Sequence, residues 1–197
     1  MHKDTHPVKF VEEGIMNKVN YEIALKDVCD QELQILKRGC CSSIVKGHFY
    51  VEEGVCKVTA EVCGLFHLKT FLESDDVHGN RFETATKLYK DILGWLCKVT
   101  EAVLSIEEYL VAKNAVSIRL EDLYFESKGG HALLLLKPSK DSFFKELCSV
   151  CDEIFALCPQ SNADTIRSRL ESQNADMLLS PKDLLRFLSS WSCELNG

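Results

Sequence analysis

The chain has 197 residues, of which 46% are hydrophobic and 27% charged, and a formal net charge of −7. That length and composition suit one globular domain, or two tightly packed subdomains, with a sizeable core. An acidic balance without a Lys/Arg run argues against general nucleic-acid or anionic-membrane binding, and no apolar run approaches the ~18–20 residues of a membrane span.

The first residues, Met1–Pro7, lack the apolar core of a secretory signal, so a cytoplasmic protein is expected. Ten cysteines are spread along the chain. In a reducing compartment they are read as small apolar core residues rather than as disulfides.

In chain order, Val8–Val11 reads as a short edge strand. Val19, Tyr21, Ile23 and Leu25 alternate with polar neighbours and predict a strand over 19–25. Asp27 is positioned to cap a helix over Val28–Arg38, with Cys29, Leu33 and Leu36 on its inner side and Gly39 as its stop. Val45, Gly47, Phe49 and Val51 alternate, Glu52-Glu53-Gly54 turns the chain, and Cys56, Val58, Ala60 and Val62 alternate again. This predicts an antiparallel hairpin with one wet face. A short helix over His67–Leu72 follows. The polar connector Ser74–Gly79 marks a boundary between an N-terminal α/β subdomain, about 1–78, and a mainly helical one, about 79–197.

The stretch from Asn80 to Leu136 organises the rest. Phe82, Ala85, Leu88, Tyr89, Ile92, Leu96, Val99, Val103, Ile106 and Leu110 recur at spacings of three and four, with Asn80 as N-cap. Unbroken, this helix runs about 30 residues against the usual ~11–12, the length of a central strut, with a break near Thr100–Ser105 as the alternative. Ile118–Glu126, the turn Ser127-Lys128-Gly129-Gly130 and the apolar run Ala132–Leu136 then predict a hairpin buried against the helix.

Beyond it, Asp141–Cys158 is helical, with Phe144, Leu147, Cys148, Cys151, Ile154, Phe155 and Cys158 on one face. Ala163–Gln173 carries a weak stripe of Ile166 and Leu170. Ser180-Pro181-Lys182-Asp183 starts a last helix whose apolar face is Leu184, Leu185, Leu188 and Trp191. The fold class is therefore α+β.

No convincing catalytic constellation emerges. Cys148, Cys151 and Cys158 have metal-like spacing, but they lie on the helical stripe of Phe144 and Ile154 and read as core. Cys40 and Cys41 follow a helix end with only Lys37 and Arg38 to lower a thiol pKa. His48, His67 and His131 lack a carboxylate or cysteine at ligand spacing and read as surface histidines. Gly129-Gly130 joins two strands, so no helix N-terminus follows to hold a phosphate. The acidic pairs Glu52-Glu53, Asp75-Asp76 and Glu107-Glu108 read as solvated surface.

Leu104-Ser-Ile-Glu-Glu-Tyr-Leu110, then Ile118-Arg-Leu-Glu-Asp-Leu-Tyr-Phe125, a glycine turn and a strand ending in Lys137-Pro138 form a pattern. Over about residues 19–190 this resembles an uncharacterised domain found ahead of forkhead-associated (FHA) modules in Gram-positive bacteria. No FHA pattern follows Trp191 in this chain. The same stretch is similar to a protein-kinase C-lobe, and to the kinase-like domain of the type VII secretion component of those bacteria. In kinases a long helix leads into H-R-D-x-x-x-x-N, a strand pair and D-F-G. Carried over, Ser117 stands where the catalytic aspartate belongs and Asp122 where the magnesium-binding asparagine belongs. Leu135-Leu136-Lys137-Pro138 replaces D-F-G. Lys57, after Val55-Cys56, is similar to the V-A-I-K lysine, without a Gly-rich loop before it.

The resemblance thus implies a degenerate protein-kinase-like architecture and a catalytically dead, pseudokinase-like relative. The expected function is a non-catalytic interaction or regulatory scaffold in signalling, with another protein as partner and no cofactor. Its expected binding surfaces are the hairpin face of Lys46, His48, Tyr50, Lys57, Thr59 and Glu61, and the cleft between the subdomains. One alternative is a nucleotide-binding regulator or weak phosphotransferase using Lys57 and Asp122, which requires the two side chains to converge. A second is a zinc- or redox-dependent cysteine protein.

Overall fold

The computed structural model describes residues 18–74, 83–173 and 180–194. The predicted strand Val8–Val11, the cap Asn80, Phe82 and the connector residues 75–79 lie outside them, as does the side chain of Ala85.

The first sheet has the order β1-β3-β2, all antiparallel, from Lys18–Ala24 (β1), Gly47–Glu52 (β2) and Val55–Glu61 (β3). Its alternation follows from the strand period of two. Tyr21, Ile23, Cys56, Val58 and Ala60 are buried, while Asn20, Glu22, His48, Tyr50 and Glu61 face out. The turn between β2 and β3 places Glu53 at φ 51° and Gly54 at φ 78°. Two positive φ values suit the right-handed twist of a two-residue hairpin, and glycine meets the second without a Cβ clash.

Helix α1 (Asp30–Arg38) lies between β1 and β2. Its N-cap is Cys29, whose backbone N–H donates to the Glu32 carboxylate at 2.9 Å. Asp27 does not cap it. That residue sits in a preceding 3-10 turn, and Cys29 is exposed rather than inward. Leu33, Ile35 and Leu36 form the buried side. Gly39, at φ 59°, stops the helix and donates its N–H to the Ile35 carbonyl.

The second sheet has the order β4-β5-β6, from Phe66–His67, Leu123–Phe125 and Ala132–Leu134. Leu123, Phe125 and Leu134 are almost fully buried. The predicted hairpin is thus present with shorter strands, because Leu120–Asp122 forms a 3-10 turn instead. Residues 43–46 stitch the two sheets. The Leu134 N–H donates to the Ser43 carbonyl, the Val45 N–H to the Leu134 carbonyl, and the Glu61 N–H to the Lys46 carbonyl.

Helix α2 (Leu68–Leu72) leads toward α3 (Glu83–Glu108), which is 26 residues long and unbroken through Thr100–Ser105. Thr100 is buried there, its hydroxyl satisfied by the Leu96 carbonyl at 2.8 Å. The buried surface of α3 is wider than the predicted stripe, since Leu93, Trp95 and Ala102 are also covered. Leu110 departs from the expectation. It lies past the helix end at φ 60° and is 81% exposed, and Val111 turns inward in its place.

An aromatic cluster forms where α3, β4, α2 and β5 meet: Phe66 with Phe71 (5.2 Å), Trp95 (6.3 Å) and Phe125 (6.2 Å) between ring centroids. The Trp95 indole N–H donates to the Lys128 carbonyl, which ties the β5–β6 turn to α3.

Helices α4 (Phe143–Leu157), α5 (Ala163–Gln173) and α6 (Pro181–Glu194) complete the second half. The Ser142 hydroxyl accepts from the Lys145 N–H, and the Ser180 hydroxyl accepts from the Asp183 N–H, as N-caps do. On α4, Leu147, Cys148, Cys151 and Ile154 are buried, but Phe155 is 37% exposed because the stripe drifts off the contact line. One contiguous hydrophobic core runs from Tyr21 to Trp191. No helix of the described residues is long and apolar enough to cross a membrane.

Candidate functional site

The site that the sequence singles out lies after α3. Ser117 bridges to Leu135, the 3-10 turn presents Asp122, and the chain after β6 carries Lys137 back over it. The Asp122 carboxylate accepts from the Ser117 hydroxyl at 2.6 Å and from the Lys137 ammonium at 2.9 and 3.1 Å. The Arg119 N–H donates to the Ser117 hydroxyl oxygen at 3.4 Å. Asp122 and Ser117 are buried, with Ser117 2% exposed, while the Lys137 side chain is 29% exposed.

Tyr21, on the inner side of β1, feels the charge of Asp122. Its hydroxyl is buried and has no hydrogen-bond partner. Burial, and then the Asp122 charge, push its pKa upward. Tyr124 is pushed up to about 12 by burial, then by Asp122 and Glu121. Its ring stacks on His67 at 4.8 Å between centroids.

His67 is not the surface histidine that the sequence suggests. It is half-buried, with Nε2 3.1 Å from the Glu121 carbonyl and Nδ1 2.7 Å from the Thr70 hydroxyl. A carbonyl only accepts, so Nε2 carries the proton and Nδ1 accepts from Thr70. His48 and His131 are exposed, and His48 lies 3.2 Å from Glu61.

Lys57 and Asp122 do not converge. Lys57 projects from the wet face of β3, pairs with Glu52 and lies 5.6 Å from the centre of the Tyr50 ring. Asp122 is buried and has Lys137 as its partner. The predicted outer surface does assemble: Lys46, His48, Tyr50 and Glu61 are exposed beside half-exposed Lys57 and Thr59. Much of it is internally paired, with the Thr59 hydroxyl donating to Asn20 at 2.7 Å.

A polar cleft of about 400 Å³ opens between Arg119, Glu121 and the start of α4, where Asp141, Glu146 and Glu153 line it. Burial pushes the Glu146 carboxyl up despite hydrogen bonds from Ser139 and the Ile118 backbone. Burial and then Glu121 raise Glu153. This cleft lies within the second half rather than between the two.

All ten cysteines are free. Cys41, Cys56, Cys148, Cys151 and Cys158 are buried as core residues, whereas Cys29, Cys40, Cys63 and Cys193 are exposed. Burial pushes Cys148 up to about 11 and raises Cys151 further, the reverse of an activated thiol. Among the described residues no three His, Cys, Asp or Glu side chains gather as a metal site.

Sequence reasoning marked Ser117 and Asp122 but missed Lys137, whose only signal was the charge ending an apolar run. It also missed Tyr21, which reads as an ordinary inward strand residue.

Chemically the cluster is closed. Ser117 is almost fully buried, and the carboxylate already accepts three hydrogen bonds. No protein-family model matches the chain, and no curated protein matches it.

Proposed function

We propose that this chain is a non-catalytic protein-interaction or regulatory module of pseudokinase-like architecture. The observation that carries this reading is the pairing of Asp122 with Lys137. In the kinase likeness, Asp122 and the Leu135–Pro138 stretch take the places of the magnesium-binding asparagine and D-F-G. Phosphoryl transfer needs those groups to hold magnesium and orient the hydroxyl. Here a lysine from the second position neutralises the carboxylate at the first. Ser117, in place of the catalytic base, donates a hydrogen bond to the same carboxylate.

The order of elements supports the reading: strand, helix, hairpin, short helix, long helix, loop, hairpin, helices. A signalling role beside another protein fits a well-packed core joined to a sheet with one wet face. The proposed site of action is the cytoplasm, where ten free thiols are stable.

A thermal-shift titration with ATP, with and without magnesium, tests this. A ligand that binds only the native state raises the melting temperature by mass action. No shift at millimolar ATP is the expected result. A saturable shift, or phosphotransferase activity abolished by Asp122→Ala, would overturn the reading.

A further inference from the structure

Among the described residues the first sheet ends in an edge, β2, whose spare hydrogen-bonding groups can be assigned. The Glu61 N–H donates to the Lys46 carbonyl, and the register pairs His48 with Thr59, Tyr50 with Lys57 and Glu52 with Val55. Antiparallel pairs alternate between bonded and non-bonded. His48, Tyr50 and Glu52 therefore direct their backbone groups at β3. Phe49 and Val51 direct theirs away from the sheet, and no described group bonds to them.

Side chains mark the same edge. Tyr50 is 59% exposed on the outer face, and Val51 is 48% exposed on the inner one. An open edge with exposed apolar residues is a pairing template that proteins normally blunt with lysine, proline or a bulge. The segment Gly47–Glu52 holds none of these.

At the Gly47 end lie three cationic side chains. Lys37 and Arg38 close α1, and the Lys46 side chain lies across Gly39 at that helix end. None of the three enters a salt bridge among the described residues.

We infer that the β2 edge docks an extended peptide segment of a partner protein, apolar at alternate positions and acidic where it passes Lys46. The peptide adds a strand by bonding to the backbone of Phe49 and Val51. Its apolar side chains cover Val51, and its carboxylates meet Lys46, Lys37 and Arg38. This rests on the reading of the chain as an interaction module and names the kind of partner.

The test is a random-dodecapeptide display selection on the immobilised full chain, with the best binder synthesised and its affinity measured. Enriched peptides are expected to alternate apolar and polar residues and to carry Asp or Glu at one end. Val51→Pro removes an outward N–H without touching the β3 ladder, and is expected to weaken binding by about tenfold or more. Should that variant fail to fold, Lys46→Glu serves in its place, with a several-fold loss expected.

Three outcomes would overturn the inference. One is binding that neither variant weakens. Another is Phe49 and Val51 amides in the free protein as protected from hydrogen exchange as that of Tyr50, which means the edge is already filled. The third is a wild-type dimer that Val51→Pro dissociates, which makes the occupant a second copy. A saturable ATP shift would instead remove the non-catalytic reading and leave the edge result standing.

Discussion

The two sheets use the same antiparallel pairing for opposite ends. The first is covered on one side only, so its charges meet on a wet face: Lys57 with Glu52, His48 with Glu61, Thr59 with Asn20. The second is wrapped by α2, α3 and residues 43–46, and Leu123, Tyr124 and Phe125 are all buried. A charge beside it, Asp122, must be neutralised on the spot. The lesson concerns where charge carries weight. An exposed ion pair is worth roughly 0–1 kcal/mol, whereas stranding one buried member of a pair costs about 3–5 kcal/mol.

The largest effect should come from the second sheet's core. Phe125 is fully buried and packs on Phe66, so Phe125→Ala should cost about 3–5 kcal/mol by urea denaturation. A loss below about 1 kcal/mol would mean that this sheet is not the buried one.

Next comes the comparison of the two lysines. Lys137→Met leaves Asp122 without its cation and should cost about 2–3 kcal/mol, discounted for the partial exposure of Lys137. Lys57→Met on the wet face should leave stability nearly unchanged. Equal losses in denaturant melts would erase the distinction between the two faces.

Much of this was legible in the sequence, for a physical reason. Period-two alternation in β1, β2 and β3 reports one-sided burial directly, and the stripe on α3 reports the strut. The cap at Ser180 follows local rules that tertiary packing left undisturbed. What failed had causes outside local pattern. Asp27 loses the capping role because the chain makes a 3-10 turn first, and Glu32 serves the Cys29 N–H instead. Leu110 fits the period but lies past the helix end, where periodicity no longer reports burial. The partner of Asp122 comes from fifteen residues away, through a hairpin whose register only the fold defines.

Tyr21 lets the comparison be sharpened from the first sheet's buried side. Its hydroxyl is buried without a partner, and such a group costs stability. Tyr21→Phe keeps the ring and removes the hydroxyl, so it should be neutral or stabilise by up to about 1 kcal/mol. A clear loss in melting temperature would mean that the hydroxyl bonds to Asp122 in solution.

The smallest effect separates the two histidines. His48 stands on the wet face, whereas His67 is held between the Thr70 hydroxyl and the Glu121 carbonyl at the edge of the second sheet. Burial lowers the His67 pKa below its ordinary value of 6.5, with Lys69 adding to the fall. The Glu121 carbonyl, Glu73 and Asp122 oppose it without reversing it. A lowered pKa means that the unfolded chain binds the proton more readily than the folded one. The contribution of His67 is therefore complete above pH 6.5 and is lost as pH falls through the folded pKa. Glu146 and Glu153, raised by burial, act in the opposite sense at lower pH, which makes the wild-type profile alone ambiguous. The difference between wild type and His67→Gln isolates the one group. That difference in melting temperature should shrink between pH 7.5 and pH 5, and a constant gap would show that the ring is solvated.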